Sequence, residues 1–455
     1  MIKFYLRIKA FLKRQFDKIH NEGFKINLLQ AIPFWFASLI TGLVAVFYAQ
    51  CFAKAESISR TIFQYEPLLI FVVTPVCFIV SWWIVNQFAP YSKGSGIPQV
   101  MAAVELATPK TKDKIKKLLS LRIIAVKIIS SIVMVIGGGA VGREGPTIQI
   151  AGSIFRKTNE LLPAWYPRIS KKNMIMTGAA AGLAAAFNTP LGGIVFAVEE
   201  LTKMHISYFK SAIFTAVIIA GLTAQAFLGS YLYLGYPIVN NVPYTLLFVV
   251  VLVAVIAGIL GSSMSKIMWI IIKWKRNFNN DYQHIIYLLV CSLTIASLAY
   301  FINESVLGSG KAILNTTLFT PDKYTHWYMP LLRIIGPVLS FTTGASGGIF
   351  APGLSAGGCI GSVFSGWFQL SPSDTNILIL AGMTAFLTGI TRAPFTSAIL
   401  VLEMTERNNL ILHLMLAGMV AGFVSKFVDK HSIYDYIKHQ YIEELKIEDN
   451  VVRPI

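Results

Sequence analysis

Three short segments rich in Gly and Pro have the composition of loops that bind an anion through backbone amides. They are Gly94-Ser-Gly-Ile-Pro98, Gly142-Arg-Glu-Gly-Pro146 and Gly347-Gly-Ile-Phe-Ala-Pro352, each opening an apolar helix start. Glycine lets backbone amides approach a ligand closely, and proline suits the first helical turn. Because a helix N-terminus presents unpaired N–H groups and the positive end of the dipole, three such ends together would bind an anion without a full positive charge. For a single loop, a plain connection between two helices remains an alternative.

Glu144, within the second loop, is the single residue that points most clearly to chemistry. Apart from Arg143 it is the sole charge in the run Ile128–Glu144, and a carboxylate at membrane depth costs roughly 2.5–3.5 kcal/mol on insertion scales. One interpretation is a local arrangement with Arg143 that satisfies both charges. In the other, the carboxylate competes with the anion for the same amides and leaves on protonation, so that one residue is both gate and proton carrier.

The composition of the chain places these loops in a membrane. Of 455 residues, 55% are hydrophobic and 13% charged, against roughly 25% charged in soluble domains. This excludes a soluble enzyme and a disordered protein, and about 250 apolar residues could fill about a dozen crossings. The net charge of +17 comes from short basic tracts between apolar segments, as the positive-inside rule describes, and does not indicate a nucleic-acid partner. We therefore predict an all-α polytopic membrane protein in contact with the lipid bilayer.

Uncharged runs predict the membrane spans. They are Ile26–Phe52, Pro67–Ser92, Ser211–Ser265, Gln283–Asn303 and Ile334–Ser373. Ser211–Ser265 is long enough for two helices, divided by the turn-like stretch Pro237–Tyr244. The apolar segments within Gly94–Glu105 and Gly142–Phe155 are too short to cross and open with Gly and Pro. Such interrupted helices are typical of transporters, where broken backbone surrounds a polar cavity.

The charged residues predict how the chain is oriented in the membrane. Residues 1–25 read as an amphipathic helix on the cytoplasmic surface, because apolar residues from Tyr5 to Ile19 recur at helical spacing. We assign five basic tracts to the cytoplasm, namely the N-terminus, Lys110–Arg122, Arg156–Lys172, Lys203–Lys210 and Lys266–Arg276. We therefore expect a multi-pass protein of the cell's inner (plasma) membrane with both termini in the cytoplasm.

An internal repeat relates the two halves of the chain. The stretch from Gly178 to Glu199 resembles the stretch from Gly382 to Glu403 at an offset of 204 residues. The loop beginning at Gly142 likewise parallels the one beginning at Gly348, at an offset of 206. Two halves built alike, each with a broken helix, predict a site at their interface near the membrane midplane.

The acidic pair Glu199 and Glu200 is the second candidate for proton chemistry. It either balances the basic tract that follows at the membrane surface, or one of the two takes up protons from the cytoplasm. Glu403 is the repeat mate of Glu199, which suggests a structural role for both. Glu200 is then the proton candidate, because Met404 stands at its repeat position.

Other chemistries find little support in the sequence. Gly344-Ala-Ser-Gly-Gly348 fits the GxSxG pattern, and His413 in a later apolar stretch could serve as a base for Ser346, as in rhomboid-like intramembrane proteases. A pentapeptide match in a Gly-rich membrane chain is weak, so this reading is a remote alternative. The chain has no HExxH motif, no Walker loop and no His cluster at ligand spacing, and we expect no metal or other cofactor and no catalytic residues.

The three loops, in order, resemble the anion-binding loops of the CLC family of chloride channels and chloride/proton antiporters. The stretch Gly178–Glu200 and the segment Gly382–Thr405 also resemble that family, and the resemblance covers roughly residues 30–440. It implies two antiparallel (inverted) halves with short broken helices around a midplane anion site, and a homodimer with one pore per subunit. With 21 residues after Tyr434, the chain has no room for the cytoplasmic regulatory domains of many eukaryotic members, which suggests a prokaryotic protein.

The resemblance also implies roles for individual residues. Ser95, in the loop with Gly96 and Ile97, would supply one hydroxyl to the central anion, and Tyr434 (or alternatively Tyr436) a second. Amides of Ile349 and Phe350 would complete this site, and those of Glu144 and Gly145 after Arg143 would form an outer site. Glu144 would be the external gating glutamate and Glu200 the internal glutamate of proton-coupled members.

The sequence thus predicts a secondary transporter that exchanges chloride for protons, with a passive chloride channel of the same family as the alternative. The predicted organisation is an interfacial helix (1–25), a first transmembrane half (26–210), a second half (211–430) and a C-terminal segment (431–455) that carries Tyr434. By the same resemblance, serine at position 95 suits chloride.

Overall fold

The computed structural model describes residues 22–108, 112–202, 210–229, 233–240 and 244–451. Every regular element within these segments is a helix. Two isolated β-bridges join Gly94 to Ser346 and Gly142 to Gly348. The predicted all-α class is confirmed.

We number the α-helices of the described residues in chain order. They are α1 (Glu22–Tyr65), α2 (Ile70–Phe88), α3 (Ile97–Glu105), α4 (Lys112–Leu118), α5 (Leu121–Ile136), α6 (Glu144–Leu161), α7 (Lys171–Phe187), α8 (Pro190–Phe196), α9 (Lys210–Leu228), α10 (Leu246–Lys275), α11 (Asp281–Phe301), α12 (Lys311–Phe319), α13 (Met329–Phe341), α14 (Phe350–Trp367), α15 (Pro372–Thr391), α16 (Pro394–Thr405), α17 (Ile411–Val428) and α18 (Ile433–Val451). Helix α8 continues into a π-helical turn, Ala197–Thr202.

Eight helical stretches of the described residues are long and apolar enough to cross a membrane: α1, α2, α4 with α5, α9, α10, α11, α15 and α17. This is fewer than a dozen, because many apolar residues lie in short or buried helices. The division of the run Ser211–Ser265 into two helices is confirmed by α9 and α10. The run Ile334–Ser373, by contrast, is interrupted between α13 and α14.

Two helices extend beyond the apolar runs that predict them. Helix α1 has 44 residues, with Pro33 inside it, and continues past Phe52 to Tyr65, since charged side chains do not stop a helix. It ends before Glu66, whose extended backbone (φ −148°, ψ 95°) is the conformation favoured in front of Pro67. Helix α6 continues past Phe155 to Leu161, with an Arg156–Glu160 ion pair of 3.4 Å on its last turns. The amphipathic helix predicted for residues 1–25 lies outside the described residues, apart from the first turn of α1.

Short helices that cannot cross a membrane occupy equivalent places in the two halves. Helix α3 has 9 residues, and α8 and α16 have 7 and 12. Each has proline in its first turn, where the missing N–H leaves no bond unmade. Helices α7 and α15, which precede α8 and α16, end in the left-handed conformation at Asn188 (φ 56°) and Arg392 (φ 68°), 204 residues apart.

The repeat mates also contact each other reciprocally. The Glu199 carboxylate accepts hydrogen bonds from the N–H groups of Phe395 (3.2 Å) and Thr396 (2.7 Å) at the start of α16. The Glu403 carboxylate accepts from Leu191 (3.0 Å) and Gly192 (2.8 Å) at the start of α8. The mates Glu199 and Glu403, Leu191 and Phe395, and Gly192 and Thr396 are each 204 residues apart. The same contact is therefore made twice, once from each half of the chain to the other. Such exchange is the signature of an approximate two-fold axis. The domain boundary at residue 210 stays a prediction.

Helices α14 and α15 pack with their backbones in close contact, which makes glycine necessary at their interface. A Cβ at Gly361 would collide with the carbonyl oxygen of Leu378, whereas one at Gly422 in α17 would have nothing nearer than 3.6 Å. We expect Gly361→Ala to destabilise the protein by about 1–3 kcal/mol through overpacking. The control Gly422→Ala should be neutral or slightly stabilising, since alanine favours a helix. Thermal unfolding in detergent measures both, and equal melting temperatures for the two variants would contradict the packing argument.

Candidate anion-binding site

The three Gly- and Pro-containing loops are joined to one another by backbone hydrogen bonds. Gly142 and Gly348, repeat mates at an offset of 206, exchange N–H···O bonds of 2.8 and 2.7 Å. A residue can pair with its own mate only at the axis that relates the halves. Gly94 donates to Ala345 (2.8 Å) and accepts from Gly347 (3.1 Å).

The N-termini of α3, α6 and α14 therefore meet at one place. Their N-cap residues, Gly96, Arg143 and Ile349, make no side-chain capping bond. A Cβ at Gly145 would collide with the Ser95 hydroxyl, so α6 begins directly against the first loop. Amides of Ile97, Glu144, Gly145 and Phe350 thus lie in the first turns of helices whose ends carry partial positive charge.

Two buried hydroxyls face each other beside these helix ends. Ser95 is 2% exposed and Tyr434, on α18, is fully buried. They lie close enough to interact, yet neither forms a hydrogen bond of normal geometry within the part of the chain that is described. Buried polar groups are normally paired, so two unpaired donors together indicate a place for an acceptor. The ring of Phe350 lies beside Tyr434, with centroids 6.1 Å apart.

The alternative tyrosine is oriented differently. Tyr436 stacks on Trp269, with ring centroids 5.0 Å apart, and donates its hydroxyl to Asp429 at 2.8 Å. It is half-buried and has its polar tip satisfied, so the geometry favours Tyr434 as the second hydroxyl.

Glu144 is folded over the start of its own helix. It is 1% exposed, and its Oε1 accepts a 2.9 Å hydrogen bond from the Tyr233 hydroxyl. A Cβ at Gly142 would collide with Oε2, and the carboxylate interacts with the backbone N–H of Glu144 itself. The carboxylate therefore occupies the position that an anion bound to the α6 N-terminus would take.

The two acidic candidates on the π-helical turn have separate environments. Glu199 caps α16, as its repeat mate Glu403 caps α8. Glu200 is 8% exposed and interacts electrostatically with Tyr434, which also interacts with Glu144. Single π turns occur frequently at functional sites, and on this one two adjacent carboxylates interact with different partners.

The site lies between two cavities. Ser95 lines a cavity of about 400 Å³ together with Lys93, Lys275 and Arg276, which we call the Ser95 cavity. Glu144 lines another of about 330 Å³, the Glu144 cavity, with walls that include Glu56, Arg143, Tyr233, Ser309 and Lys311. Gly145 links the two, since it directly follows Glu144 and lies against Ser95.

Buried cations hold the loops from behind. Lys127, fully buried on α5, donates its ammonium to the carbonyls of Ser92 (2.8 Å) and Gly94 (2.7 Å). Lys275 donates to the carbonyls of Thr342 (2.7 Å) and Thr343 (2.9 Å), just before the third loop.

The serine–histidine pair that proteolysis requires is not assembled. The Ser346 hydroxyl donates to the carbonyl of Ser92 at 2.7 Å. Neither ring nitrogen of His413 has a hydrogen-bond partner among the described residues. Nor do those residues include a group of three or more His, Cys, Asp or Glu placed to hold a metal.

Two side chains of the site, Tyr233 and Lys311, lie outside the three predicted loops. Tyr233 lies in the connection after α9, outside any motif. Lys311 begins α12 and lies over the Tyr233 ring, 4.7 Å from its centroid. The preceding Gly308-Ser309-Gly310 repeats the Gly94-Ser95-Gly96 sequence at an offset of 214. This second GSG loop is the sequence signal that points to the region of Lys311.

Comparisons with known proteins agree on one family. Residues 77–426 match the family described as voltage gated chloride channel. The H(+)/Cl(-) exchange transporter ClcA of Cronobacter sakazakii is 29% identical over 77% of this chain and 74% of its own. The transporter of the same name from Vibrio cholerae is 27% identical over 95% of this chain and 98% of its own.

Solved structures share the fold. A slow cyanobacterial Cl-/H+ antiporter superposes with a TM-score of 0.78 at 23% identity, over 91% of this chain and 98% of that one. A CLC-type fluoride/proton antiporter superposes with a TM-score of 0.72 at 22% identity, over 90% and 98% of the respective chains.

Removing the Lys127 ammonium should loosen the first loop. In Lys127→Met the carbonyls of Ser92 and Gly94 lose their shared charged donor and keep only the Ser346 hydroxyl and the Gly347 N–H. A hydrogen bond from a charged group contributes about 1.5–3 kcal/mol. We expect chloride binding, measured calorimetrically in detergent, to weaken about tenfold. Lys266→Met is the matched control, because the Lys266 side chain is exposed. Wild-type affinity in both variants would show that the loop keeps its shape without Lys127.

Proposed function

Because this chain belongs to the voltage-gated chloride channel family, we propose that its converging loops bind chloride and that it exchanges chloride for protons across a membrane. Relatives that span most of this chain are named as H(+)/Cl(-) exchange transporters. The observation that carries the proposal is the position of Glu144: a buried carboxylate lies over a helix N-terminus that an anion would otherwise occupy.

The chloride site is built from dipoles and hydroxyls. Ser95 and Tyr434 supply O–H donors. The first turns of α3 and α14 supply backbone N–H groups and the partial positive charge of a helix N-terminus, at Gly96, Ile97, Ile349 and Phe350. No ammonium or guanidinium group needs to touch the ion. An ion held by partial charges is bound firmly enough to enter and weakly enough to leave, as conduction requires.

Glu144 couples the two ions by competition. The ionised carboxylate and chloride carry the same charge and need the same amides at the start of α6, including that of Gly145. Chloride therefore enters when Glu144 is displaced, and protonation removes the charge that holds the carboxylate in place. The proton then leaves with the swinging side chain towards the Glu144 cavity.

Glu200 supplies the proton from the other side. It is buried, and both it and Glu144 interact electrostatically with Tyr434. We assign the last part of the path to water, because no titratable side chain in the sequence obviously bridges the two carboxylates. A passive chloride channel would use Glu144 as a gate but has no need of a buried Glu200, so this residue favours exchange.

The same reasoning extends to the protein's surroundings. We propose a multi-pass protein of the inner (plasma) membrane, with both termini in the cytoplasm on the strength of the five basic tracts. The two-fold relation supports halves that are inverted across the membrane. We also propose a homodimer through the face that includes Leu191 and Phe395, repeat mates that are 56% and 51% exposed.

Chloride-driven proton movement in proteoliposomes tests the function. We expect the wild type to move protons uphill when a chloride gradient is imposed. Glu144→Gln and Glu200→Gln should both abolish proton movement, because each removes one carboxylate of the path, while chloride still passes. Glu66→Gln, an exposed carboxylate, is the control and should behave as wild type. Chloride flux without proton movement in the wild type would identify a channel.

The second hydroxyl of the chloride site has a test of its own. Tyr434→Phe removes a donor to the ion and should weaken chloride binding about tenfold, since a hydrogen bond to a charged group contributes about 1.5–3 kcal/mol. Tyr436→Phe should leave the affinity unchanged, because its hydroxyl bonds to Asp429. Titration calorimetry on both variants decides between the two tyrosines, and a loss confined to Tyr436→Phe would reverse the assignment.

A further inference from the structure

Tyr233 is held in place against the gating carboxylate. It is 4% exposed, and its hydroxyl donates to Glu144 Oε1 at 2.9 Å. Its ring packs edge-to-face on Phe187, with centroids 5.0 Å apart. Because Phe187 is fully buried on α7, the direction of the Tyr233 hydroxyl is fixed by packing.

A cation lies over the same ring. The Lys311 ammonium is 4.7 Å from the Tyr233 ring centroid, within the range of a cation–π interaction. The positive charge draws electron density from the ring and makes the phenolic O–H a better donor. Lys311, Tyr233 and Glu144 thus form a chain of polarised contacts along the wall of the Glu144 cavity.

This hydrogen bond discriminates between the two states of Glu144. A carboxylate accepts a stronger hydrogen bond than a neutral carboxyl group, so the phenol favours the ionised form that occupies the anion site. We propose that Tyr233 is a positioning residue that latches ionised Glu144 in the chloride path, and that it sets how readily chloride or a proton displaces the carboxylate. The inference rests on the proposed function.

Other groups that face Glu144 act on it in addition. Arg143 precedes it on the same loop, and Glu56 and Tyr48 face it from α1. Lys311 lies on α12 and Tyr434 on α18. The latch is distinguished from these by its direct hydrogen bond, which substitution to phenylalanine removes without changing a charge.

Chloride affinity measured against pH tests the latch. In Tyr233→Phe, the ionised carboxylate competes less well, so chloride should bind about tenfold more tightly than in the wild type at alkaline pH. At acidic pH, where Glu144 is protonated in both proteins, the affinities should converge. Exchange should correspondingly continue at higher pH in Tyr233→Phe. In the wild type, protonation of Glu144 weakens its hydrogen bond with Tyr233, and the variant does not have this cost. Lys311→Met should also raise the chloride affinity at alkaline pH and extend exchange to higher pH, but by less than Tyr233→Phe.

Two controls separate a latch from a packing role. Tyr236→Phe makes the same change three positions away at an exposed side chain (55%) and should leave the profile unchanged. In a Glu144→Gln background, Tyr233→Phe should have no effect on chloride binding at any pH, because there is no carboxylate to hold. Calorimetry in detergent reports all of these without requiring transport.

The outcomes are distinct. A pH-dependent gain that disappears in Glu144→Gln supports the latch. An affinity change of equal size at all pH values, or one that persists in Glu144→Gln, overturns it and makes Tyr233 a packing residue. If the wild type itself binds no chloride at any pH, the proposed function fails and the latch fails with it.

Discussion

The pairing of Gly142 with Gly348 is the interaction on which the rest of the structure depends. Each residue bonds to its own repeat mate, so the axis relating the halves passes between them. This fixes the start of α6 and of α14 a few residues away, with their positive ends at the same place. A side chain at either position would crowd the facing loop: a Cβ at Gly348 would lie 3.1 Å from Pro146, and one at Gly142 would lie 3.1 Å from Ala351. The proposed anion site is thus a consequence of two broken helices meeting at an axis.

A helix that breaks in an apolar interior leaves backbone N–H and C=O groups without partners. Away from the proposed site, charged side chains form hydrogen bonds with these groups. Lys127 binds carbonyls before the first loop, and its repeat mate Arg333, also fully buried, binds the carbonyls of Ser305 (2.8 Å), Leu307 (3.2 Å) and Gly308 (3.2 Å). Glu199 and Glu403 satisfy amides at the starts of α16 and α8. With these ends satisfied, the hydroxyls of Ser95 and Tyr434 are buried donors at the meeting point that have no hydrogen-bond partner within the described part of the chain.

Most of this arrangement can be predicted from sequence, because Gly and Pro mark helix breaks and because two motifs recur at nearly one offset. What escapes prediction depends on contacts between distant segments. Lys127 and Arg333 are repeat mates, but the sequence does not show this because the residue type changes from lysine to arginine. The second GSG loop follows the first at an offset of 214 residues, which differs from the offset of 206 between the Gly142 and Gly348 loops. Tyr233 belongs to no motif, and only the fold brings it to Glu144. The extension of α1 to Tyr65 lies outside the uncharged run Ile26–Phe52, because charged side chains end such a run without ending the helix.

The second GSG loop shows how the first one, the proposed binding site, differs from a plain helix cap. Both loops have left-handed glycines, with φ of 64° and 99° at Gly94 and Gly96 and of 64° and 85° at Gly308 and Gly310, and both begin helices of 9 residues. In the second, the Glu56 carboxylate accepts from the Ser309 N–H (3.0 Å), and the Ser309 hydroxyl accepts from the Lys311 N–H. The chain's own carboxylate and hydroxyl thus satisfy that helix end. At the first loop Ser95 has no such partner, and the nearby carboxylate, Glu144, is held by a phenol at the edge of a cavity. The same backbone is therefore a capped helix end at the second loop, where a side-chain carboxylate and a hydroxyl satisfy its N–H groups. At the first loop it is the proposed anion site, where the serine hydroxyl has no hydrogen-bond partner among the described residues.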